Sequence, residues 1–372
     1  MMENLFFNLI RVSLGIQNKI NYELTNDEWC ALYELSNNQT ISGICSFGVQ
    51  KIFKDDKSAT TIPKSLFLKW IGIENNIKEE NLRINKRCSK LINYFNEQGF
   101  NCSILKGQGI AALYKSGGID LSLLRQSGDI DIWIGGGRIK VLKELNTLFK
   151  ELDSDYKHAH APFYTDTEVE VHWMPDFLMN LFLNRKLQRY WKEHEDEICS
   201  DIVELPDGAG CINVPSIGMN RFYILLHCYR HIFFEGLGLR QVMDYYFVLR
   251  QGFDEYSRAE TMKLVKEFGM AKFAAAMMWI MQEVFHLEED CLLCSANEKE
   301  GRFLLNDIMQ SGNFGHHDKR VKTIGNSKRV RSLSRILQRM PHLIIHYPKE
   351  VLWAPIWLAY HFVWKRTVGR KN

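Results

Sequence analysis

Proline is scarce in this sequence, and the usual marks of a secreted protein are missing from it. Only 8 of the 372 residues are proline, which disfavours a linker-rich or disordered chain and favours long helices. The first residues lack a basic start, a continuous apolar run and a small-residue cleavage site, so we expect no secretory signal peptide. Apolar residues make up 46% and charged residues 24% of the chain, which is typical of a globular protein.

A disulfide framework is also missing. The nine cysteines are odd in number and scattered along the chain, as expected for reduced thiols. Cys291 and Cys294 form a lone CxxC pair without a second pair at zinc spacing. We therefore expect a cytoplasmic protein that needs no disulfide or zinc ion to fold.

The net charge is only +3, but its distribution is uneven. Residues 318–372 contain 13 lysines and arginines and two acidic residues, so the rest of the chain is acidic. An acidic body disfavours a long nucleic acid as partner, because phosphate backbones need a basic groove. The basic tail can instead meet an anionic surface.

The same tail contains an apolar stretch, residues 351–364, with three tryptophans. This stretch is shorter than the roughly 20 residues that a membrane-spanning helix needs. Two interpretations remain open. The stretch is a C-terminal helix packed on the protein, or it makes peripheral contact with the inner face of a membrane, where tryptophan and basic residues are common.

The hydrophobic periodicity predicts an α+β protein with a small mixed sheet flanked by helical regions. We divide the chain into a helical N-terminal region (1–85), an α/β core (86–175), a helical C-terminal domain (176–317) and the basic, aromatic-rich tail (318–372). Thr25 and Glu28 predict a capping box at the start of a helix. A second helix is predicted over residues 78–98, with Gly99 as its C-terminal cap.

Acidic residues alternate with apolar residues on two predicted strands of the core, 128–134 and 168–173. Residues two apart on a strand point to the same face, so Asp129 and Asp131 converge while Ile130 faces the core. Two carboxylates on one face can bind Mg²⁺. Glu168 and Glu170 repeat the pattern on the second strand, and Glu170 is the better third ligand. The alternative is a solvated strand face without a metal.

A family resemblance rests on the order of these motifs. The segments Ile104–Gly107, Gly128–Asp131 and Val169–Trp173, with Arg125 between the first two, resemble the nucleotidyltransferase superfamily typified by DNA polymerase beta. The sequence is most similar to a branch of largely uncharacterised bacterial nucleotidyltransferases often found with polysaccharide genes. The resemblance covers roughly residues 85 to 265 and includes 213–216, His227, His231 and 238–244.

This resemblance implies a catalytic site. Asp129, Asp131 and Glu170 would bind two Mg²⁺ ions, and a nucleoside triphosphate would be the donor. An acceptor oxygen would attack the α-phosphorus in line, with pyrophosphate as leaving group. Glu170 could also accept the proton of the acceptor, and Gly107 would let the backbone approach the triphosphate.

One residue departs from the superfamily pattern. Gln108 follows Gly107, where the superfamily usually has a second small residue. We place Gln108 with Lys106, Gly107 and Arg125 among the candidate nucleotide-binding residues. Lys106 and Arg125 are cationic, and we expect them to bind phosphate. The alternative for Arg125 is an ion pair with Asp131.

The remaining candidates lie on helices or on the neighbouring strand. Arg240 and Asp244 are spaced for one helix face, with arginine first, which mildly favours a role in acceptor binding. His227 and His231 are also four residues apart, and we interpret them as paired histidines of a helical core instead of zinc ligands. His158 and His160 alternate on the strand before Glu170. We expect them to be exposed on that strand, and the alternative is that they reach the metal face.

The function expected from the sequence is Mg²⁺-dependent transfer of a nucleoside monophosphate to an unknown hydroxyl or phosphate acceptor. The resemblance suggests polysaccharide biosynthesis as its setting. One alternative is a non-catalytic nucleotide-binding or scaffold protein with the same fold. Another is a phosphotransferase on that fold, and a more distant one is a zinc hydrolase that uses His227 and His231.

Overall fold

The computed structural model describes residues 2–55, 62–322, 324 and 328–368. In this part of the chain the helices are α1 (Met2–Ser13), α2 (Asn26–Asn38), α3 (Ser42–Asp55), α4 (Lys64–Glu97), α5 (Gln108–Ala111), α6 (Gly137–Leu148), α7 (Leu181–Glu193), α8 (Glu195–Ile198), α9 (Ile217–Phe234), α10 (Leu239–Leu249), α11 (Glu255–Glu267), α12 (Ala271–Phe285), α13 (Glu298–Ser311), α14 (Lys328–Leu343) and α15 (Pro348–Thr367). The strands are β1 (Cys102–Ile104), β2 (Lys115–Ser116), β3 (Ile119–Asp120), β4 (Ile130–Ile134), β5 (Asp153–Ser154), β6 (His158–His160), β7 (Val169–His172), β8 (Asp201–Leu205) and β9 (Gly210–Val214).

The chain forms two compact units, and each is assembled from three segments. Unit 1 comprises Met1–Arg83, Ala111–Ser127 and Gly236–Lys319. Unit 2 comprises Ile84–Ile110, Gly128–Glu235 and Arg320–Asn372. The division into four consecutive regions follows the order of the sequence and stays a prediction.

Unit 1 is built mainly from helices, with the short β2–β3 hairpin as its sheet. Its N-terminal region contains the predicted capping box. The backbone N–H of Thr25 donates to Glu28 Oε2 at 2.8 Å, and Thr25 Oγ1 accepts from the backbone N–H of Glu28 at 3.3 Å. Two otherwise unpaired N–H groups at the start of α2 are thereby satisfied.

Unit 2 contains a five-stranded sheet with the strand order β1-β4-β7-β6-β5. β4 and β7 run parallel, whereas the pairs β1–β4, β6–β7 and β5–β6 are antiparallel. The predicted α+β class with a small mixed sheet is therefore confirmed. Ile130, Ile132 and Ile134 on β4 and Val169 and Val171 on β7 belong to one buried apolar cluster, which leaves the intervening residues on the opposite face.

One local prediction, the start of the helix before the sheet, needs adjustment. The helix predicted over residues 78–98 begins earlier, at Lys64. Pro63 directly precedes it, where the fixed φ of proline suits a helix start. The polar residues around 75–80 interrupt the apolar pattern, so the sequence does not predict one continuous helix. Pro206 and Gly208, two residue types that favour turns, lie in the turn of the β8–β9 hairpin.

The C-terminal tail forms α14 and α15. Val351, Ala354 and Trp357 of α15 are buried, and Trp357 stacks on Phe177 with ring centroids 4.6 Å apart. This side of α15 confirms the interpretation as a packed helix. In the described residues no helix is long and apolar enough to cross a membrane. Arg370 and Lys371 of the basic end lie outside the described residues.

Candidate active site

Two parallel strands bring three carboxylates together in unit 2. Asp131 on β4 lies in register with Glu170 on β7, and Asp129 directly precedes β4 on the same face. One carboxylate oxygen from each of the three residues lies within 4.8 Å of the others. The convergence expected from the alternating sequence is thus present, and we call these three residues the acidic cluster.

Asp131 is buried and has two basic neighbours. Lys106 Nζ donates to Asp131 Oδ1 at 2.9 Å, and His172 Nε2 lies 3.0 Å from the same oxygen. Burial alone would raise the pKa of Asp131, but the Lys106 ammonium and His172 lower it below its usual range. For Lys106, burial is likewise outweighed by Asp131 and the other acids, which raise its pKa. The carboxylate is therefore ionised at neutral pH.

Glu170 is flanked by two histidines. His158 Nδ1 and His172 Nε2 lie 3.0 Å and 3.2 Å from Glu170 Oε2. Burial acts to raise the pKa of Glu170, yet the neighbouring His158 and His172 lower it well below the usual value. Glu170 is thus also held as a carboxylate, which suits a metal ligand better than a proton acceptor.

The turn after β1 carries the first group of candidate nucleotide-binding residues. The backbone N–H of Leu105 donates to the carbonyl of Asp131 at 2.9 Å, which fixes the turn against β4. Gly107 has a φ of +56°, and a Cβ built there would meet only the Asp129 carbonyl oxygen, at 3.9 Å. The backbone conformation, not crowding, therefore requires glycine. Gln108 Nε2 donates to Asn85 Oδ1 at 2.8 Å.

Arg125, Arg240 and Asp244 belong to unit 1, whereas the acidic cluster, Lys106, Gly107 and Gln108 belong to unit 2. Arg125 donates to Asp244 from Nε at 2.7 Å and from Nη2 at 2.8 Å. Within unit 1 the side chain of Arg125 is thus bound by Asp244, and the alternative of an ion pair with Asp131 stays a prediction. Arg240 Nη1 donates to the carbonyl of Gln126 at 3.1 Å. A role of these residues in acceptor binding stays a prediction.

His227 and His231 are buried on α9 and each has an acidic neighbour. His227 Nδ1 lies 3.3 Å from Asp176 Oδ2, and His231 Nδ1 lies 3.1 Å from Glu235 Oε2. Burial lowers the pKa of His231 to about 4. In the described part of the chain neither histidine belongs to a group with metal-ligand spacing. The burial and acidic neighbours of both residues fit the interpretation as core histidines, and the expectation that they bind no zinc stays a prediction.

Two residues beside the acidic cluster depart from what the sequence predicts. His158 was expected to be exposed, but only 8% of its surface is accessible, because β6 is an inner strand of the sheet. Lys157, a position for which the sequence predicts no special role, is also buried. Burial and the nearby charges of Arg230 and Lys106 lower its pKa. A lysine at a strand start is normally solvated, so the sequence gives no signal for this position.

Comparison with known proteins places the chain in a family. A family model described as "Uncharacterised nucleotidyltransferase" matches residues 25–286, a range that contains the acidic cluster. No curated protein matches the chain. Among solved structures, an antigenic nucleotidyltransferase-like protein from Paracoccidioides brasiliensis is similar, at 13% identity over 56% of this chain and 98% of that chain, with a TM-score of 0.31. Because the family model spans most of its length, this protein belongs to the family of uncharacterised nucleotidyltransferases and is a transferase.

Proposed function

We propose that the protein transfers a nucleoside monophosphate group from a nucleoside triphosphate to a hydroxyl or phosphate acceptor. The observation that supports this most directly is the acidic cluster, whose three carboxylate oxygens converge within 4.8 Å on neighbouring strands. We assign Asp129, Asp131 and Glu170 as the ligands of Mg²⁺. A part in polysaccharide biosynthesis belongs to the same proposal and rests on the sequence resemblance.

The residues present fit a divalent cation. Carboxylate oxygens are hard ligands of the kind that Mg²⁺ takes, and the lowered pKa values of Asp131 and Glu170 keep both charged. Three acids this close repel one another, and a bound divalent cation would relieve that repulsion. When bound, Mg²⁺ would stabilise the charge that develops on the attacking and leaving oxygens.

The protein's own cations are assigned to the triphosphate. Lys106 contacts the acidic cluster directly. The charge of Lys106 lowers the pKa of Lys157, and the charge of Glu170 raises it. Buried lysines that repel one another favour an anionic ligand, because the ligand relieves the repulsion. Gly107 lies in the turn next to Asp129, and because it has no side chain, a ligand can approach the backbone of this turn. We propose that this turn and the two lysines hold the phosphates.

Calorimetric titration with each of the four nucleoside triphosphates in the presence of Mg²⁺ tests the proposal. We expect one nucleotide to bind the natural protein and not the variant Asp129→Asn/Asp131→Asn. Glu168→Gln is the matched control, because it removes an acid that lies near the cluster but does not belong to it. The side chain of Glu168 is 58% exposed. Equal binding by the natural protein and the double variant would contradict the proposal.

A phosphotransferase would use the same acids with a different donor. If none of the four nucleotides binds, the acidic cluster must serve another phosphorylated donor or none. If a nucleotide binds, incubation with sugar phosphates and Mg²⁺ follows, and release of pyrophosphate identifies the acceptor.

We also propose peripheral contact between the C-terminal helices and an anionic membrane surface. α14 and α15 each expose apolar side chains at helical spacing: Val330, Leu333 and Leu337 on α14, and Leu352, Ile356 and Val363 on α15. Between residues 319 and 372 the sequence has a single acid, Glu350, and it is buried. Exposed apolar faces among basic residues are typical of helices that lie in the membrane interface.

A further inference from the structure

Three histidines and two glutamates share one face of the β6–β7 pair in unit 2. In the antiparallel register, His158 lies opposite His172 and His160 lies opposite Glu170. Residues directly opposite, and residues two apart, point to the same side of a sheet. Of these five residues, the proposed magnesium site uses Glu170 alone, and the histidines have so far no role as metal ligands.

Two imidazole nitrogens converge on a single carboxylate oxygen. His158 Nδ1 lies 3.0 Å and His172 Nε2 lies 3.2 Å from Glu170 Oε2. The ligand atoms of His158, Glu170 and His172 lie within 4.8 Å of one another. We call these three residues the His–Glu trio.

Hydrogen bonding accounts for His172, whose Nε2 contacts Asp131 and Glu170, but not for the position of the His158 ring. His158 is only 8% exposed, yet its Nδ1 has no hydrogen-bond partner of acceptable geometry in the described residues. The carboxylate oxygen is close to the ring nitrogen but lies outside the direction in which an N–H would donate. A buried ring nitrogen without a partner costs free energy, and an ion between the three ligand atoms would satisfy it.

We propose that the His–Glu trio binds a first-row transition-metal ion, with Zn²⁺ as the expected ion, beside Asp129 and Asp131. Imidazole nitrogen is a preferred ligand of such ions, whereas Mg²⁺ prefers oxygen. Two histidines and a glutamate are a ligand set that holds zinc in other proteins. Glu170 would then be shared between the trio and the acidic cluster.

Titration with Co²⁺, followed by its visible absorption, tests this assignment on the full-length protein. We expect one equivalent of Co²⁺ to give a band that excess Mg²⁺ does not remove and that Zn²⁺ abolishes. His158→Asn should weaken Co²⁺ binding by at least about 100-fold, since loss even of an outer-shell partner can cost that much. His160→Asn is the matched control, because His160 lies on the same strand and face but outside the trio.

The outcomes separate this site from the proposed magnesium site. Asp129→Asn should keep the Co²⁺ band, because Asp129 is not in the trio. A band that persists in His158→Asn, or that disappears equally in His160→Asn or with Mg²⁺, overturns the proposal. X-ray absorption of the zinc-loaded natural protein needs no variant to fold: scattering from two imidazoles supports the trio, and oxygen ligands alone refute it. Nucleotide binding is measured separately and can fail while the trio still binds zinc.

Discussion

Arg125 and Asp244 form a buried ion pair in unit 1 with two parallel hydrogen bonds, of 2.7 Å and 2.8 Å. Tyr114 adds a third contact, since its hydroxyl donates to Asp244 Oδ1 at 2.7 Å. A guanidinium matches a carboxylate in this geometry, which gives direction as well as strength. The pair joins the segment 111–127 to α10 and so completes unit 1 from separate parts of the chain.

Removing the charge of Asp244 is expected to destabilise unit 1. Asp244→Asn leaves Arg125 buried without its counter-ion, which typically costs about 3–5 kcal/mol. Urea unfolding followed by circular dichroism measures the change. Glu260→Gln, at an exposed acid of α11, is the control and should change the free energy of unfolding by less than about 0.5 kcal/mol. Unchanged stability of Asp244→Asn would instead favour the role in acceptor binding.

Glu350 is expected to make stability depend on pH. Its burial raises its pKa to about 7, although the backbone N–H of Met179 donates to it. Between about pH 4.5 and 7 the unfolded chain therefore releases a proton that the folded protein retains, so folding becomes less favourable as the pH rises through this window. The loss amounts to about 3 kcal/mol for a shift of this size.

Glu350→Gln removes this titration while keeping an oxygen for the Met179 N–H. We expect its free energy of unfolding, relative to that of the natural protein, to increase from pH 4.5 to pH 7.5. Chemical denaturation at four pH values measures the difference. Parallel curves for the two proteins over that range would show that Glu350 is ionised in the folded state.

Gly107 is expected to be irreplaceable for backbone reasons. Alanine at a φ of +56° costs about 1–2 kcal/mol, so Gly107→Ala should lower stability and weaken nucleotide binding together. Gly72→Ala is the control, because Gly72 has no positive φ and a Cβ there would meet no atom within 4 Å. In the helix α4 that change should stabilise the protein by about 0.5–1 kcal/mol. Calorimetry and thermal unfolding of both variants distinguish the two effects.

Lys157 is expected to bind phosphate and to lower the stability of the nucleotide-free protein. Lys157→Met removes a buried charge that Arg230 and Lys106 repel, so the free protein should unfold at the same or a higher temperature. Nucleotide binding should weaken about 10- to 100-fold, as for the loss of one charged hydrogen bond. Lys192→Met, at an exposed lysine of α7, is the control. Unchanged affinity in Lys157→Met would remove Lys157 from the phosphate site.

The exposed faces of α14 and α15 are expected to bind anionic lipid vesicles. Leu352→Ser/Ile356→Ser/Val363→Ser should abolish co-sedimentation with vesicles that contain phosphatidylglycerol, because the inserted apolar area is lost. Vesicles of phosphatidylcholine alone should bind weakly, since the basic residues then have no counter-charge. The control is a triple serine change at exposed Ile139, Phe182 and Ile202, outside these helices. Equal loss of binding in this control would refute the assignment.

The sequence predicts those parts of the site that depend on alternation and register. Asp131 and Glu170 alternate with buried apolar residues, and that pattern alone places them on one face of a sheet. The partner of Arg125 could not be predicted in the same way, because Asp244 is 119 residues away and only the packing of unit 1 brings them together. The alternation of polar residues on β6 predicts an exposed His158. Its burial depends on the neighbouring strand β7, where His172 lies directly opposite, and the local sequence does not show this pairing.

The three-segment assembly of each unit has a consequence for how the protein folds during synthesis. Unit 1 lacks its last segment until residue 319 has been made, and unit 2 lacks residues 320–372 until the end. α1 packs against α2 and α3, which follow it directly, and also against α12, so the part of α1 that contacts α12 stays uncovered until more than two thirds of the chain has been made. Neither unit can be excised as a continuous fragment, and a nascent chain exposes apolar surface that chaperones would bind.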